Sequence, residues 1–400
     1  MTRNEQLLAW LERNRDRDII KLITGVRGCG KSDLIGQYQK ALLSGGVSAR
    51  HVIHINLEHP QQRHIHDPGE LLDAIERMAP AKGRVYLILD EICELQEFEV
   101  AIGGLFAMKR FDLLVVCSNK RPLSDRFKDY LAGRFVHMEM TPPPFREIPC
   151  AAGATFEDRL EDWLRFGAMP YTFRLRNHED GPRYTSVYLG GLWNTILVKD
   201  ILTRNRLSDS RLTERLLERI YEHLGESESL RKIAADATVD GRVTAPNTVD
   251  SYLAALDESM LVRKFIKFDV FTGDSLRAGY KFYLADLALG RNRYGEFPGD
   301  PTNAVRNLIA LELWLRKGQV FCGRYDSSDF DFAVIENGKA LCWQYVPKLV
   351  GGKVPAPLFA AFRRMPRDQQ KVVIVRRDFP KKPVPGVEFI SLENFLLGKG

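Results

Sequence analysis

The sequence lacks any apolar run that approaches the roughly 18 residues needed to cross a membrane as a helix. A charged amphipathic stretch follows Met1, where a secretory signal would carry an apolar core. None of the six cysteines belongs to a CxxC pair, so neither a zinc ribbon nor a disulfide framework is predicted. These absences exclude membrane-spanning and disulfide-rich secreted classes. We expect a cytoplasmic protein with no membrane partner.

Surplus positive charge is absent from most of the chain. The net charge of the 400 residues is +6, yet residues 343–400 hold 11 Lys/Arg and 4 Asp/Glu, a net of +7. Residues 1–342 therefore carry 47 basic against 48 acidic residues. The C-terminal excess indicates an anionic partner such as DNA or RNA. A solvated basic face is the alternative interpretation.

Length and pattern predict several α/β domains. Domains cluster near 100–200 residues, so a chain of 400 residues predicts two to four. Apolar strands alternate with helices over the first 150 residues, which indicates a parallel sheet covered on both faces. The predicted strands are 18–24, 51–57, 84–89, 112–117 and 135–140, and the predicted helices are 31–43, 70–78, 98–109 and 124–131.

The most specific motif lies between the first strand and the first helix. Residues 25–32 read GVRGCGKS and fit the phosphate-binding pattern GxxxxGK[ST]. Its glycines let backbone N–H groups curl around phosphates, and the helix N-terminus adds the positive end of its dipole. We expect Lys31 to reach the β- and γ-phosphates and the Ser32 hydroxyl to bind Mg²⁺. The predicted nucleotide-binding set is Gly25, Val26, Arg27, Gly28, Cys29, Gly30, Lys31, Ser32 and Leu34.

Two later strands end in polar residues that suit the same chemistry. Asp90 and Glu91 follow an apolar run, and an aspartate at this place in P-loop enzymes holds Mg²⁺. The following glutamate can orient and polarise the attacking water. Asn119 ends the next strand, where its side chain would lie between the two carboxylates and the γ-phosphate. The expected cofactors are therefore ATP and Mg²⁺.

In this order the motifs resemble those of an AAA+ ATPase of the additional-strand class. The resemblance implies that the strand bearing Asn119 lies between the P-loop strand and the Asp90 strand. It implies a Walker A motif at residues 25–32, a Walker B motif at Asp90 and Glu91, and sensor 1 at Asn119. It also implies an arginine that completes the ATP site in cis or from a neighbouring subunit, so an oligomer is one expectation. Arg134 is the first candidate and Arg146 the second.

Five later stretches follow in a fixed order: LAGR at 131–134, MTPPPFRE at 140–147, FGAMP at 166–170, KFYLAD at 281–286 and NLIALEL at 307–313. Together they resemble a prokaryotic family that joins an AAA ATPase to a C-terminal domain of uncharacterised role with a restriction-endonuclease-like core. The expected division is an AAA+ P-loop ATPase domain over residues 1–150 and a helical connector over 151–204. The rest of the chain is expected to form a winged-helix-like module over residues 205–272 and a restriction-endonuclease-like α/β domain over residues 273–400.

The middle of the chain reads as three helices and a strand, which is typical of a winged helix-turn-helix. Asn247, Thr248 and Ser251 would lie near the start of a DNA-reading helix. Residues 211–268, however, hold 9 Lys/Arg against 10 Asp/Glu. This segment lacks the positive surplus that phosphate binding requires. A protein contact or a structural role is therefore an equally good interpretation.

The C-terminal domain is expected to be a degraded nuclease. Such an enzyme needs an acid on one strand and acid-x-lysine on the next to hold and use Mg²⁺. Asp331 fits the first acid, but Gln344 and Val346 occupy the second strand, and Arg306 stands where related sequences often carry glutamate. The domain would then bind rather than cut. The basic residues that suit an anionic partner are Arg363, Arg364, Arg367, Arg376, Arg377, Lys381 and Lys382.

These patterns predict Mg²⁺-dependent ATP hydrolysis, with Lys31, Glu91, Asn119 and Arg134 as the catalytic residues. Nucleotide state would control how the C-terminal half engages a partner, which we expect to be nucleic acid. The alternative is a slow nucleotide-gated regulatory switch that binds a protein partner. Nuclease activity is not expected under either hypothesis.

Overall fold

The chain folds into two compact units. A computed structural model describes residues 1–237, 244–317, 319–380, 382 and 384–399. The first unit consists of Met1–Pro142 with two short segments, Met169–Tyr171 and Glu258–Met260. The second unit contains the described residues of the remaining segments, Pro143–Ala168, Thr172–Asp257 and Leu261–Gly400. No helix within the described ranges is long and apolar enough to cross a membrane.

The first unit is built on a five-stranded parallel sheet. Its strands are β1 (Ile20–Thr24), β2 (Val52–Asn56), β3 (Val85–Asp90), β4 (Phe111–Cys117) and β5 (Phe135–Glu139). Their spatial order is β2-β3-β4-β1-β5, and every neighbouring pair is parallel. β4 therefore lies between the P-loop strand β1 and the strand β3 that ends in Asp90, which confirms the strand arrangement that the resemblance implied.

Five helices belong to this unit: α1 (Arg3–Arg13), α2 (Lys31–Ser44), α3 (Pro68–Met78), α4 (Phe98–Ala107) and α5 (Asp125–Tyr130). α1 begins with a capping box in which the Thr2 and Glu5 side chains each accept a hydrogen bond from the other's backbone N–H. The apolar positions of α3 and α4 pack into a core shared with the strands. These contacts follow from runs such as β4, in which all seven residues are buried.

One buried ion pair interrupts the apolar interior of this sheet. The Lys21 ammonium on β1 contacts the Asp112 carboxylate on β4, and both side chains are almost wholly buried. Asp112 also accepts a hydrogen bond of 2.7 Å from the Asp16 backbone N–H. Burial lowers the pKa of Lys21, and the neighbouring Asp112 charge opposes this effect. The pair links two neighbouring strands of the sheet.

The second unit opens with helices. They are α6 (Phe156–Phe166), α7 (Pro170–Leu175, whose first two residues belong to the first unit) and α8 (Gly181–Thr195). α8 continues as a π-helix over Ile196–Thr203. Gly167 and Pro170 separate α6 from α7. Three further helices follow: α9 (Ser210–Glu222), α10 (Leu230–Asp236) and α11 (Pro246–Glu258).

A seven-stranded mixed sheet forms the rest of this unit. Its strands are β6 (Val262–Asp269), β7 (Asp274–Leu284), β8 (Val320–Tyr325), β9 (Ser328–Glu336), β10 (Lys339–Val346), β11 (Lys371–Val375) and β12 (Glu388–Ser391). Their order is β12-β11-β10-β9-β8-β6-β7. β9 and β10 form a hairpin that turns at Asn337 and Gly338, both at positive φ. The helices here are α12 (Leu287–Tyr294), α13 (Pro301–Lys317), α14 (Ala360–Arg364) and α15 (Leu392–Leu397).

The segment predicted as a winged helix shows three helices, α9 to α11, followed by the β6–β7 hairpin. β6 also pairs in parallel with β8, so this hairpin is the edge of the larger sheet. The predicted boundary between residues 272 and 273 falls in the turn that joins β6 to β7. Residues 238–243, within the predicted module, lie outside the described residues.

Candidate functional site

The P-loop connects the carboxyl end of β1 to the first turn of α2. The Gly25 backbone N–H donates to the Cys117 carbonyl at 3.1 Å, which ties the loop to β4. A Cβ at Gly25 would overlap the Met140 carbonyl oxygen, so the loop starts where only glycine fits. Gly28 and Gly30 have φ of 85° and 106°, a backbone region that favours glycine. The backbone geometry therefore explains the glycine at three positions of the loop, Gly25, Gly28 and Gly30.

Lys31 lies inside the loop that it is expected to serve. Its buried ammonium donates to the Gly25 carbonyl at 2.7 Å and to the Val26 carbonyl at 3.2 Å. Ser32 is exposed at the start of α2, whereas Leu34 and Cys29 are buried. The loop thus presents a hydroxyl to solvent and keeps a cation within it, as a phosphate-binding loop requires.

Arg3 is a residue of this region that the sequence did not indicate. Its buried guanidinium donates to the Cys29 carbonyl at 2.9 Å and to the Thr141 carbonyl. The N-terminal helix α1 therefore fastens the P-loop to the chain that follows β5. A single arginine in an amphipathic helix carries no motif, so only the structure reveals this contact.

Asp90 and Glu91 lie at the carboxyl end of β3, next to the strand that carries Asn119. The Asp90 Oδ2 accepts a hydrogen bond of 2.9 Å from Asn56 Nδ2, and the His54 Nε2 lies 3.7 Å from the same oxygen. Asn56 and His54 come from the neighbouring strand β2. Polar residues at the carboxyl end of a parallel strand are a sequence signal that would have found Asn56.

Glu91 is held by one serine. Its backbone adopts a φ of 54°, and only 5% of the residue's surface is exposed to solvent. Its Oε2 accepts from the Ser118 backbone N–H at 3.1 Å, and its Oε1 accepts from the Ser118 hydroxyl. Burial raises the pKa of the Glu91 carboxyl, while the Lys31 and Arg27 charges and the Ser118 hydrogen bond act in the opposite direction. Ser118 is a second residue that sequence reasoning passed over.

Asn119 follows β4, between the P-loop and the two carboxylates. Its Oδ1 accepts a hydrogen bond of 2.9 Å from the Arg121 backbone N–H. Its Nδ2 is buried and has no hydrogen-bond partner among the described residues. A buried amide donor without a partner is unusual in a folded protein. This N–H group is therefore available to a ligand at the carboxyl edge of the sheet.

Arg27 completes the loop with an ion pair. Its guanidinium makes two hydrogen bonds to Glu58, at 2.6 and 2.9 Å. Glu58 follows β2, and its backbone N–H donates to Asn56 Oδ1 at 2.9 Å. The Arg27 guanidinium is thus held by the Glu58 carboxylate, which follows the neighbouring strand β2. Glu58 was not among the predicted site residues.

Arg134, the first candidate arginine, is not brought to this edge within its own chain. Arg134 is exposed and precedes β5, where its carbonyl accepts a hydrogen bond of 2.8 Å from the Ile20 backbone N–H. Ile20 begins β1, so the P-loop lies at the other end of that strand, about 16 Å away at the rise of a β-strand. Arg134 therefore lies at the far end of β1 from the P-loop of its own chain, and action from a neighbouring subunit stays a prediction. Arg146 lies in the second unit, 3.7 Å from Glu147.

A second cluster occupies the position predicted for a nuclease centre in the other unit. The Asp331 Oδ1 accepts from Arg306 Nε at 3.0 Å, and its Oδ2 accepts from Gln344 Nε2 and the Tyr345 backbone N–H, each at 2.8 Å. The three predicted positions on α13, β9 and β10 therefore converge. A guanidinium and an amide satisfy the carboxylate in place of further acids.

Two family models match successive segments of the chain. Residues 17–149 match the family model of an AAA domain, and residues 157–297 match a domain of unknown function (DUF8612). The AAA match spans the whole parallel sheet, the P-loop, Asp90, Glu91 and Asn119. Residues 17–149 are therefore similar to AAA domains. An uncharacterized protein of Haemophilus influenzae is 24% identical over 405 residues, which cover 99% of each chain.

Solved structures with partial similarity include AMPPCP-bound DnaA from Aquifex aeolicus, with a TM-score of 0.31 and 15% identity over 63% of this chain and 86% of that one. C. elegans PCH-2 gives a TM-score of 0.28 and 14% identity over 64% of this chain and 68% of that one. A DNA polymerase III gamma subunit-related protein from Thermotoga maritima gives a TM-score of 0.26 and 12% identity over 64% of this chain and 99% of that one.

Proposed function

We propose that the first unit binds ATP with Mg²⁺ and hydrolyses it, and that nucleotide state controls how the C-terminal half engages a nucleic-acid partner. One observation carries the proposal. The parallel sheet places the P-loop, Asp90, Glu91 and Asn119 at its carboxyl edge, where Glu91 is buried and oriented and the Asn119 Nδ2 awaits a hydrogen-bond acceptor. This combination suits a phosphate with a water beside it.

The residues at this edge fit a magnesium ion. Mg²⁺ prefers hard oxygen ligands and is commonly held by one or two protein oxygens together with substrate phosphates. The exposed Ser32 hydroxyl and the Asp90 carboxylate supply such oxygens. Asn56 orients the Asp90 carboxylate through its hydrogen bond. When bound, the ion would neutralise negative charge on the phosphates.

Each remaining side chain has a separate task in this proposal. The Lys31 ammonium exchanges the Gly25 and Val26 carbonyls for phosphate oxygens. The Glu91 carboxylate accepts a hydrogen bond from the attacking water and orients it. The Asn119 Nδ2 donates to the γ-phosphate or to that water. In the resting site Lys31, Glu91 and Asn119 are each held by hydrogen bonds to neighbours, and Lys31 and Glu91 exchange or share those partners when ATP and water bind.

A second candidate function rests on the hydrogen bonds of Glu91. Both of its carboxylate oxygens are engaged by Ser118, so Glu91 must share or leave this partner to act on water. A site that rests in this arrangement turns over slowly. The alternative is therefore a nucleotide-gated switch that binds a protein, in which slow hydrolysis times the bound state.

The C-terminal domain, in either case, is proposed to bind without cutting. Arg306 places a positive charge on Asp331, where a metal ion would need free carboxylate oxygens. Gln344 and the Tyr345 N–H take the other oxygen. Incubation of the protein with supercoiled and linear DNA in Mg²⁺ or Mn²⁺ should leave both intact. Metal-dependent cleavage by the wild type, absent from Asp331→Ala, would overturn this assignment.

Calorimetric titration with MgATP tests the binding half of the proposal. Wild type should bind, and Lys31→Ala should lose at least about tenfold in affinity, because the charge that meets the phosphates is gone. Lys109→Ala is the matched control, since Lys109 forms an exposed ion pair with Asp18 away from the P-loop. Equal affinity of Lys31→Ala and wild type would contradict the assigned phosphate site.

A further inference from the structure

A cavity in the second unit brings together cations that form no ion pair with a carboxylate of the described residues. It has a volume of about 480 Å³ and lies among Gly351, Gly352, Lys353, Val354, Phe359, Arg363, Pro380, Lys382 and Val384. This volume is within the roughly 300–1,000 Å³ range of small-ligand sites. Its lining combines three cations with an aromatic ring and aliphatic carbons and includes no acidic residue.

The topology of the sheet places this cavity where α/β proteins commonly bind ligands. β10 and β11 run parallel, so the segments that follow them leave the sheet at the same edge. The segment after β10 supplies residues 351–354, and the segment after β11 supplies Pro380, Lys382 and Val384. Ligands of open α/β sheets bind outside the carboxyl ends of their strands.

A tight turn presents one of the three cations. Val350 and Lys353 exchange backbone hydrogen bonds of 2.9 and 3.1 Å. The two residues between them, Gly351 and Gly352, have φ of 59° and 76°, as a type I′ turn requires at both central positions. Such a turn fixes its ends, so Lys353 projects from a defined place beside the cavity.

The cavity cations differ from three other basic residues of this segment, which form ion pairs. Residues 347–384 carry 10 Lys/Arg and 2 Asp/Glu, a net of +8 against +6 for the whole chain. Arg364 pairs with Asp326, and Arg376 and Arg377 pair with Glu157. No carboxylate of the described residues pairs with Lys353, Arg363 or Lys382. Of the predicted basic set, Lys381 lies outside the described residues.

The apolar part of the cavity favours a base over a bare anion. The Arg363 guanidinium lies 5.9 Å from the centre of the Phe359 ring, and Phe359 packs on Phe362 at 5.7 Å. Aromatic faces and arginine planes are the groups on which unpaired bases stack, and nearby cations hold the phosphates between them. A base inside a duplex is already stacked and cannot enter a cavity of this kind.

We propose that this cavity binds single-stranded nucleic acid, with a base on the Phe359 ring and backbone phosphates on Lys353, Arg363 and Lys382. This inference rests on the nucleic-acid partner of the proposed function. It adds that the nucleic acid is single-stranded and that it binds in this cavity. A free nucleotide offers the same phosphate and base chemistry, so the test separates the two sources. A double helix, an acidic protein and an anionic membrane are the other occupants that the competition test distinguishes from a single strand.

Fluorescence anisotropy of a labelled 20-nucleotide oligothymidylate tests the site at low and high salt. Wild type should bind, and its affinity should fall steeply with salt, because strand binding releases counterions. Arg363→Gln should weaken binding about tenfold and reduce the salt slope by about one phosphate contact. Phe359→Leu keeps an apolar filler and should weaken binding about 5- to 100-fold through lost stacking. Thermal melting confirms that each variant is folded.

Lys339→Ala is the matched control for charge. It removes one cation from the β9–β10 turn, at the start of β10, whereas the cavity lies past the end of that strand. Its binding should equal that of wild type. Equal losses in Lys339→Ala and Arg363→Gln would overturn the cavity assignment and indicate diffuse attraction. Unlabelled duplex, polyglutamate, anionic vesicles and free AMP at the same phosphate concentration should compete poorly, and strong competition by any of them would overturn it too.

The oligonucleotide-binding test can fail or succeed independently of the ATPase proposal. Absence of strand binding by wild type at low salt overturns this inference, while ATP turnover that disappears in Glu91→Gln still supports the first-unit proposal. Conversely, strand binding that depends on Arg363 and Phe359 stands even where wild type shows no ATP turnover.

Discussion

Glu91 combines a left-handed backbone, a buried carboxyl and two hydrogen bonds to one serine. Burial raises the pKa of Glu91, whereas the Ser118 hydrogen bond lowers it. A group that orients water must be deprotonated, so activity should be lost as pH falls through this raised pKa. The acid limb of turnover is therefore expected above the usual carboxyl range of about 4.3.

Replacing Ser118 tests that arrangement. In Ser118→Ala the hydroxyl that stabilises the carboxylate is gone, so the pKa of Glu91 rises further and the acid limb should move to higher pH. The pH profile of steady-state ATP turnover measures the shift. Ser48→Ala, which removes an exposed serine without a capping hydrogen bond, should leave the profile unchanged. An identical acid limb in Ser118→Ala and wild type would refute the role of this serine.

Asn119 gives a second prediction at this scale. Its partnerless Nδ2 is assigned to the transferred phosphate or the attacking water. Asn119→Ala should retain MgATP binding and lower turnover by about 100-fold, as loss of a preorganised donor typically does. Calorimetry and turnover on the same preparation separate the two effects. A proportional loss of affinity with unchanged turnover would place Asn119 in ground-state binding instead.

The site residues differ in how far the sequence could predict them. Lys31, Asp90, Glu91 and Asn119 follow buried strands in motifs, and parallel strands bring such ends together. Arg3 and Ser118 had no such signal, because the first acts from a helix remote in sequence and the second depends on a side-chain direction. Arg134 shows the limit of a motif, since strand direction decides which edge it occupies.

At the scale of elements, the Lys21–Asp112 pair ties β1 to β4, the strands that carry the P-loop and Asn119. Removing one partner of a buried pair leaves an uncompensated charge in an apolar interior. Asp112→Ala should therefore lower the free energy of unfolding by about 3–5 kcal/mol. Urea denaturation measures the change.

The exposed pair of Asp18 and Lys109 is the matched comparison for that experiment. Both side chains are more than half exposed, so Asp18→Ala should change the free energy of unfolding by about 1 kcal/mol or less. Similar destabilisation by the two variants would show that burial of the Lys21–Asp112 pair does not govern its contribution.

The elements themselves were largely predictable. All five strands of the first sheet begin and end within two residues of their predicted bounds, because near-continuous apolar runs mark buried parallel strands. The seven-stranded sheet was predicted only in part. Its β9–β10 hairpin and β11 carry local signals, whereas the parallel pairing of β6 with β8 joins segments about 50 residues apart.

At the scale of the whole molecule, Arg134 requires a second chain if it serves an ATP site. Arg134→Ala should bind ATP and lose turnover by about 10³- to 10⁵-fold, the effect typical of an arginine finger. Mixing it with Glu91→Gln should restore turnover, because each mixed interface can join an intact Glu91 to an intact Arg134. Turnover of the mixture equal to the mean of the separate variants would exclude action between subunits.

Steady-state ATP hydrolysis by wild type and Glu91→Gln, each with and without oligothymidylate, tests the central claim most directly. We predict Mg²⁺-dependent turnover in wild type that rises with the oligonucleotide, and loss of turnover in Glu91→Gln with ATP binding retained. Slow turnover that ignores the oligonucleotide but still requires Glu91 would favour the protein-binding switch. Activity that survives in Glu91→Gln would contradict the catalytic assignment of this site.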